Sequence, residues 1–322
     1  MIRVSTSTNT PITDSTELRT QMGAIRLSVH WLGTSKALPA SQQAEAAATF
    51  GANRDFFSAR KKLIDTRHPA YRKVTSIRNR IVSLWKGMTV PYPDPGLRLI
   101  RRDRIEVFES EFSQLQQELA VAVFQLEQEF DELKLLAQER LGALFNEEDY
   151  PRQLEHLFHI DVEYPTVEPP NYLQRLNPEL YEEQCRRIEA RFEEALELAE
   201  ESFLQEFQEL VTHLTERLSG EVDGKPKVFR DSALTNLTEF LQRFRQLNIR
   251  SHAQLEELIE HAERLTAGIS PERLRSERSV RETVRSQLQQ VGLVLEDQLE
   301  IRPRRQILRH RRIEEEVTSD AT

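Results

Sequence analysis

Two imidazoles and a carboxylate lie close together in the stretch His156-Leu-Phe-His159-Ile-Asp161. Imidazole nitrogen and carboxylate oxygen are ligands for zinc and iron, so a metal centre is the first chemistry to weigh. The pattern is weak for that purpose. It crosses an expected boundary between a short helix and a strand, and no other His or Cys lies near it in sequence. In the simpler reading, His159 and Asp161 form the solvent face of a strand whose other face is Phe158, Ile160 and Val162. No metal and no cofactor are assigned.

Other reactive groups fare no better. Cys185 falls on the apolar stripe of a long helix, where a thiol packs rather than attacks. The run EARFEEALELAEESF reads as a solvated helix face, not as a pair of catalytic carboxylates. The chain has no glycine-rich phosphate loop, nucleophile elbow or zinc-finger spacing. No catalytic residue is assigned, and the chain is read as a non-enzyme.

Charge is distributed in blocks. Residues 51–104 hold 14 Lys and Arg against 4 Asp and Glu, whereas residues 105–218 hold 8 against 28. The segment IRPRRQILRHRR, residues 301–312, carries 6 Arg and no acid. Arg60, Lys61, Lys62, Arg72, Lys73, Arg78, Arg80, Lys86, Arg101 and Arg102 could follow a nucleic-acid backbone or an acidic partner. Arg304, Arg305, Arg309, Arg311 and Arg312 could do the same in the tail, and Trp85 and Tyr92 could stack on bases. The competing reading matches the basic region to acidic helices of the same or a neighbouring copy.

These residues must be positioned by helices. Only 10 glycines, 38% hydrophobic content and 30% charged content imply long helices with wide solvated faces. A single cysteine argues against an internal disulfide framework and for a reducing compartment, so a cytoplasmic location is expected. No run of 18 apolar residues suggests a membrane span. The opening MIRVSTSTNTPITDST lacks an apolar core and reads as a polar arm.

The fold class expected is mainly α. Residues 1–40 form a polar arm with a possible strand at 24–32, where Ile25, Leu27, Val29 and Trp31 alternate although Leu18, Met22, Ile25, Val29 and Leu32 also fit a helix, and residues 41–102 form a basic helical region. Within the latter, one helix runs from Ser41 towards Pro69 and another starts at Pro69, with Val74, Ile77, Ile81, Leu84 and Trp85 as its stripe. Residues 103–219 form a long antiparallel helical hairpin, coiled-coil-like, with a small β-containing cap at 145–177. Its first seam runs from Ile105 through Phe108, Phe112, Leu115, Leu119 and Leu126 to Leu141, N-capped by Asp103. Its second runs from Tyr181 through Ile188, Phe192, Phe203 and Phe207 to Leu218, opened by Asn177-Pro178-Glu179. The cap strand, FHIDVEY, needs a partner, and the candidates are residues 24–32 and 97–100. C-terminal helices occupy 220–300, with caps at Ser251 and Ser270, and an Arg-rich tail occupies 301–322.

Several pieces resemble a bacterial and phage family known only as a domain of unknown function. They are SIRNRIVSLWKGMTVPYPDPGLRLI, LGALFNEEDYP, the FHIDVEY strand and VFRDSALTNLTEFL, and the resemblance spans residues 58–267. Members are often encoded beside MoxR-type AAA+ ATPases and von Willebrand A-domain proteins. The resemblance implies a helical accessory or adaptor subunit of such a machine, in mobile-element or defence loci, and carries no catalytic residues. The expected function is a non-catalytic scaffold or adaptor in a multiprotein complex, with self-association open. The alternative is a nucleic-acid-binding subunit using residues 54–104 and the tail.

Overall fold

A computed structural model describes residues 14–219, 221–222, 225–226, 231–247, 249 and 253–301. The cap expected at Ser251 and the tail arginines from Arg304 to Arg312 lie outside the described residues. In chain order come α1 (Ser15–Gln21), β1 (Met22–Trp31), β2 (Ser35–Ala37), α2 (Ala40–Thr49), β3 (Arg60–Lys62) and α3 (Pro69–Gly87). Then follow β4 (Thr89–Pro91), β5 (Leu97–Arg101), α4 (Ile105–Gln128), α5 (Phe130–Leu141), β6 (Phe158–Glu163), α6 (Asn171–Leu176) and α7 (Pro178–Leu218). The remainder is β7 (Glu221–Val222), β8 (Lys225–Pro226), α8 (Asp231–Leu247), α9 (Ala253–Thr266), α10 (Pro271–Ser276) and α11 (Arg278–Ile301). The fold is mainly helical with a small antiparallel sheet. None of the described helices is long and apolar enough to cross a membrane. The chain divides into two compact units, residues 1–202 with 241–252 and residues 203–240 with 253–322.

In the first unit the sheet order is β4-β5-β1-β6, every pair antiparallel. The alternation of Ile25, Leu27, Val29 and Trp31 fits a strand, and β1 pairs on both sides. Val29 lies opposite Ile160, so the strand at 158–163 finds its partner in β1, while 97–101 pairs along β1's other edge. Helices α3 and α4 run antiparallel: His68 reaches Glu129 at 3.6 Å, Lys73 Nζ donates to Gln125 Oε1 at 2.8 Å, and Arg80 pairs with Glu118. Between the helices and the sheet lies one core, in which Val74, Ile77 and Ile81 meet Phe108, Phe112, Leu115 and Leu119. Each such side chain contributes about 1.5–3 kcal/mol by leaving water.

That packing corrects the expected hairpin. The seam from Phe108 to Leu133 is buried as read, but it lies against α3 and the sheet rather than along α7. A stripe specifies which side chains leave water, not which element covers them. The seam is also interrupted at Glu129, whose φ of -98° and ψ of 1° separate α4 from α5. Asp103 does not cap α4. Its carboxylate accepts from Arg101 Nε at 3.1 Å and Nη2 at 3.0 Å, and α4 starts from Arg104 without a side-chain cap. The helix expected from Ser41 to Pro69 stops at Thr49. Gly51 follows at φ +62°, a left-handed backbone that ends a helix cheaply only at glycine. Residues 60–62 then pair with 35–37 as a ribbon.

Asn177 caps α7 as expected, its Oδ1 accepting from Leu180 N at 3.1 Å. In the first unit α7 buries Ile188, Phe192, Ala195 and Ala199, and Phe192 packs edge-on against Tyr92 at 5.6 Å. In the second unit α7 buries Phe203, Phe207, Val211 and Leu214, with Phe207 stacked on Phe240 of α8 at 5.4 Å. Leu255 and Ile259 of α9 and Val284, Leu288, Val291 and Leu295 of α11 are also buried there. Ser270 Oγ caps α10, accepting from Arg273 N at 3.3 Å.

Candidate docking surfaces

The residues first considered for metal do not converge. His159 and Asp161 sit on the outward face of β6, paired at 2.6 Å, and His156 is exposed beyond the strand's start. Among the described residues no three His, Cys, Asp or Glu side chains are placed to hold an ion together. Cys185 is half-buried on α7.

The basic region is largely occupied. Lys61 is 7% exposed and reaches Asp149 Oδ2 at 2.5 Å while donating to Leu144 O at 2.6 Å. Arg101 is 3% exposed, held by Asp103. Arg80 pairs with Glu118, Arg102 donates to Met22 O, and the Arg78 guanidinium lies over the Trp31 ring at 5.1 Å. Arg60 donates to the hydroxyl and carbonyl of Ser35. Lys62, Arg72 and Lys86 are exposed and meet no acid among the described residues. The stacking candidates are placed differently from expectation. Tyr92 is 5% exposed and packed on Phe192, and one face of the Trp85 ring carries the Arg98 guanidinium at 5.4 Å. Tyr92 is therefore unavailable for stacking, and Trp85 is half-buried.

The acids of FNEEDYP have a local cause. Asn146 Oδ1 accepts from Glu148 N at 3.0 Å, which turns the chain so that Asp149 points inward. Asp149 then binds Lys36 at 2.6 Å as well as Lys61, and these two ammonium groups hold its carboxyl below the usual carboxylate range. The next residue, Tyr150, is buried, donates to Leu63 O at 3.0 Å and stacks on Phe145 at 5.3 Å. The motif is a clasp between the β2–β3 ribbon and the end of α5.

What remains exposed is aromatic and aliphatic. Phe56 is 91% and Phe50 77% exposed, on the segment joining α2 to β3, close in sequence to Arg54, Arg60 and Lys62. Phe124 is 63% and Val121 56% exposed on α4. Beside Phe124 lies a cleft of about 610 Å³ between α4 and β6, with Gln116, Ala120, Phe124 and Glu127 on one wall and Glu155, His159 and Ile160 on the other. Gln116 Nε2 donates across it to Ile160 O at 3.0 Å, and Glu127 Oε1 accepts from Leu154 N at 3.0 Å. A second cleft, about 490 Å³, lies in the second unit between α7 and α11, beside exposed Leu293.

No family model matches the chain, and no curated protein or solved structure matches it. Sequence reasoning missed Phe50, Phe56, Val121 and Phe124. Phe124 carried a signal, since it falls off the seam of α4 by one position from Val123 and so had to point away from the core.

Proposed function

We propose that the chain is a non-catalytic helical scaffold or adaptor subunit of a multiprotein complex, acting beside an AAA+ ATPase or a von Willebrand A-domain protein. The observation that supports this is Phe124 and Val121 standing in solvent on α4 at the mouth of a cleft. Large apolar groups grouped at a concavity are the usual mark of a partner surface. Co-expression with a MoxR-type AAA+ ATPase and a von Willebrand A-domain protein of the same source, followed by purification on this chain, tests the reading. One of them should copurify with the native chain and be lost with Phe124→Lys, at unchanged melting temperature. Failure of both to copurify, or equal recovery with Phe124→Lys, contradicts it.

A second reading, a nucleic-acid-binding subunit, is supported by Phe50 and Phe56, exposed and close in sequence to Arg54, Arg60 and Lys62. Aromatic faces next to cations bind single strands by stacking and counterion release. Retention of a labelled oligonucleotide should fall steeply as salt rises and drop in Phe50→Ala/Phe56→Ala. No retention at low salt removes this reading.

A further inference from the structure

The backbone of β6 shows what kind of segment the α4 cleft receives. Pro91 lies opposite Arg98 in the β4–β5 pair and has no N–H, so Arg98 turns its amide to the other side and exchanges hydrogen bonds with Ile25 of β1. Strand amides alternate in direction. Ser28 and His30 therefore face β6 and bond with Asp161 and His159, their register partners. By the same alternation Phe158, Ile160 and Val162 turn their N–H and C=O groups away from β1, along the open edge of the sheet. The Gln116 side chain confirms the direction. Its amide donates to Ile160 O at 3.0 Å, where a neighbouring strand would place a backbone donor. Among the described residues the N–H groups of Ile160 and Val162 meet no acceptor. An open strand edge beside an apolar groove is the geometry that accepts an added strand.

Charge selects the occupant. The cleft walls carry Glu127 and Glu155, and the adjoining outward face of β6 carries Asp161 and Glu163, the latter 3.8 Å from Arg26 of β1. The one imidazole lining the cleft, His159, is already paired with Asp161. A second copy paired through β6 would lay this acidic run beside itself. We infer that β6 is the acceptor edge for an extended segment of another protein that alternates apolar residues with Lys or Arg, the apolar ones covering Phe124. This rests on the adaptor reading and specifies how the partner is held.

The probe is a fluorescein-labelled peptide of about eight residues alternating Val and Lys, long enough to cover a typical strand. Two controls accompany it, one with Glu in place of Lys and one with alternate amides N-methylated. Binding is read by anisotropy on the native chain and on Val162→Pro. Proline there removes one outward N–H and leaves the β1 ladder intact. The Val/Lys peptide should bind the native chain. Binding should weaken roughly tenfold or more on N-methylation, on Glu replacement and on Val162→Pro, the loss of one or two net hydrogen bonds or of the charge match. Equal binding of the N-methylated peptide overturns the inference, and this arm holds even if Val162→Pro does not fold. Equal binding of the Glu peptide overturns the chosen occupant. Dimerisation of the native chain that Val162→Pro abolishes, with no peptide binding, assigns the edge to a second copy and also overturns it. If the peptide fails while a coexpressed subunit still copurifies with both chains, the strand inference falls and the adaptor reading stands.

Discussion

The two halves of residues 145–170 differ in what they do with their polar groups. The first half closes on itself and its neighbours. Asp149 is shared by Lys36 and Lys61, Tyr150 donates to Leu63 O, and Asn146 ties the turn. The second half supplies β6, which satisfies one edge against β1 and leaves the other to a single side-chain donor. Adjacent acids in sequence therefore have opposite fates. Those in FNEEDYP include a buried anchor, while Glu155, Asp161 and Glu163 stay at the surface beside a cleft. Buried and paired groups report on stability, and groups at an open edge report on recognition.

The largest expected effect breaks the closed half. Asp149→Ala leaves Lys61 buried without its carboxylate and should cost roughly 3–5 kcal/mol, read by chemical denaturation. Tyr150→Phe leaves Leu63 O without its donor and should cost about 1–3 kcal/mol in the same assay. The Asp149 anchor also sets a pH dependence. Its folded pKa lies below the unfolded value, so its stabilisation is complete above the ordinary carboxylate range and is lost as pH falls through the folded value. The gap in melting temperature between the native chain and Asp149→Asn should therefore narrow below about pH 4. A gap that stays constant into acid would show that the carboxylate is not held by the lysines. Arg80→Ala removes an exposed α3–α4 ion pair and should change stability far less than either substitution in the clasp, and less again at high salt. Val162→Pro, in the open half, removes no hydrogen bond of the β1 ladder, so its cost should stay well below that of Asp149→Ala and come from the side chain trimmed at the edge of the core. A loss comparable to that of Asp149→Ala would mean its N–H is spent inside the sheet.

Much of this fold was legible in the sequence where the cause is local. The stripes of α3, α4 and α7 gave the buried side chains, Asn177 and Ser270 gave helix starts, and alternation gave β1 and β6. What was not legible depends on distant partners. Nothing near Lys61 announces Asp149, 88 positions later, so a buried anchor looked like part of a basic surface. Equal seam lengths suggested a hairpin of residues 105–141 with 178–218, whereas the shorter stripe of α3 lies across from α4. Tyr92 read as a base-stacking ring because its cover, Phe192, comes 100 positions later. The outward direction of the Ile160 and Val162 amides was out of reach, because it follows from a proline three strands away.

Residue-resolved amide hydrogen exchange on β6 tests the central claim most directly. An edge closed on one side and open on the other predicts alternation, with His159 and Asp161 protected and Ile160 and Val162 exchanging much faster. Protection of all four to a similar degree would contradict it, because the edge would then already be covered within the chain.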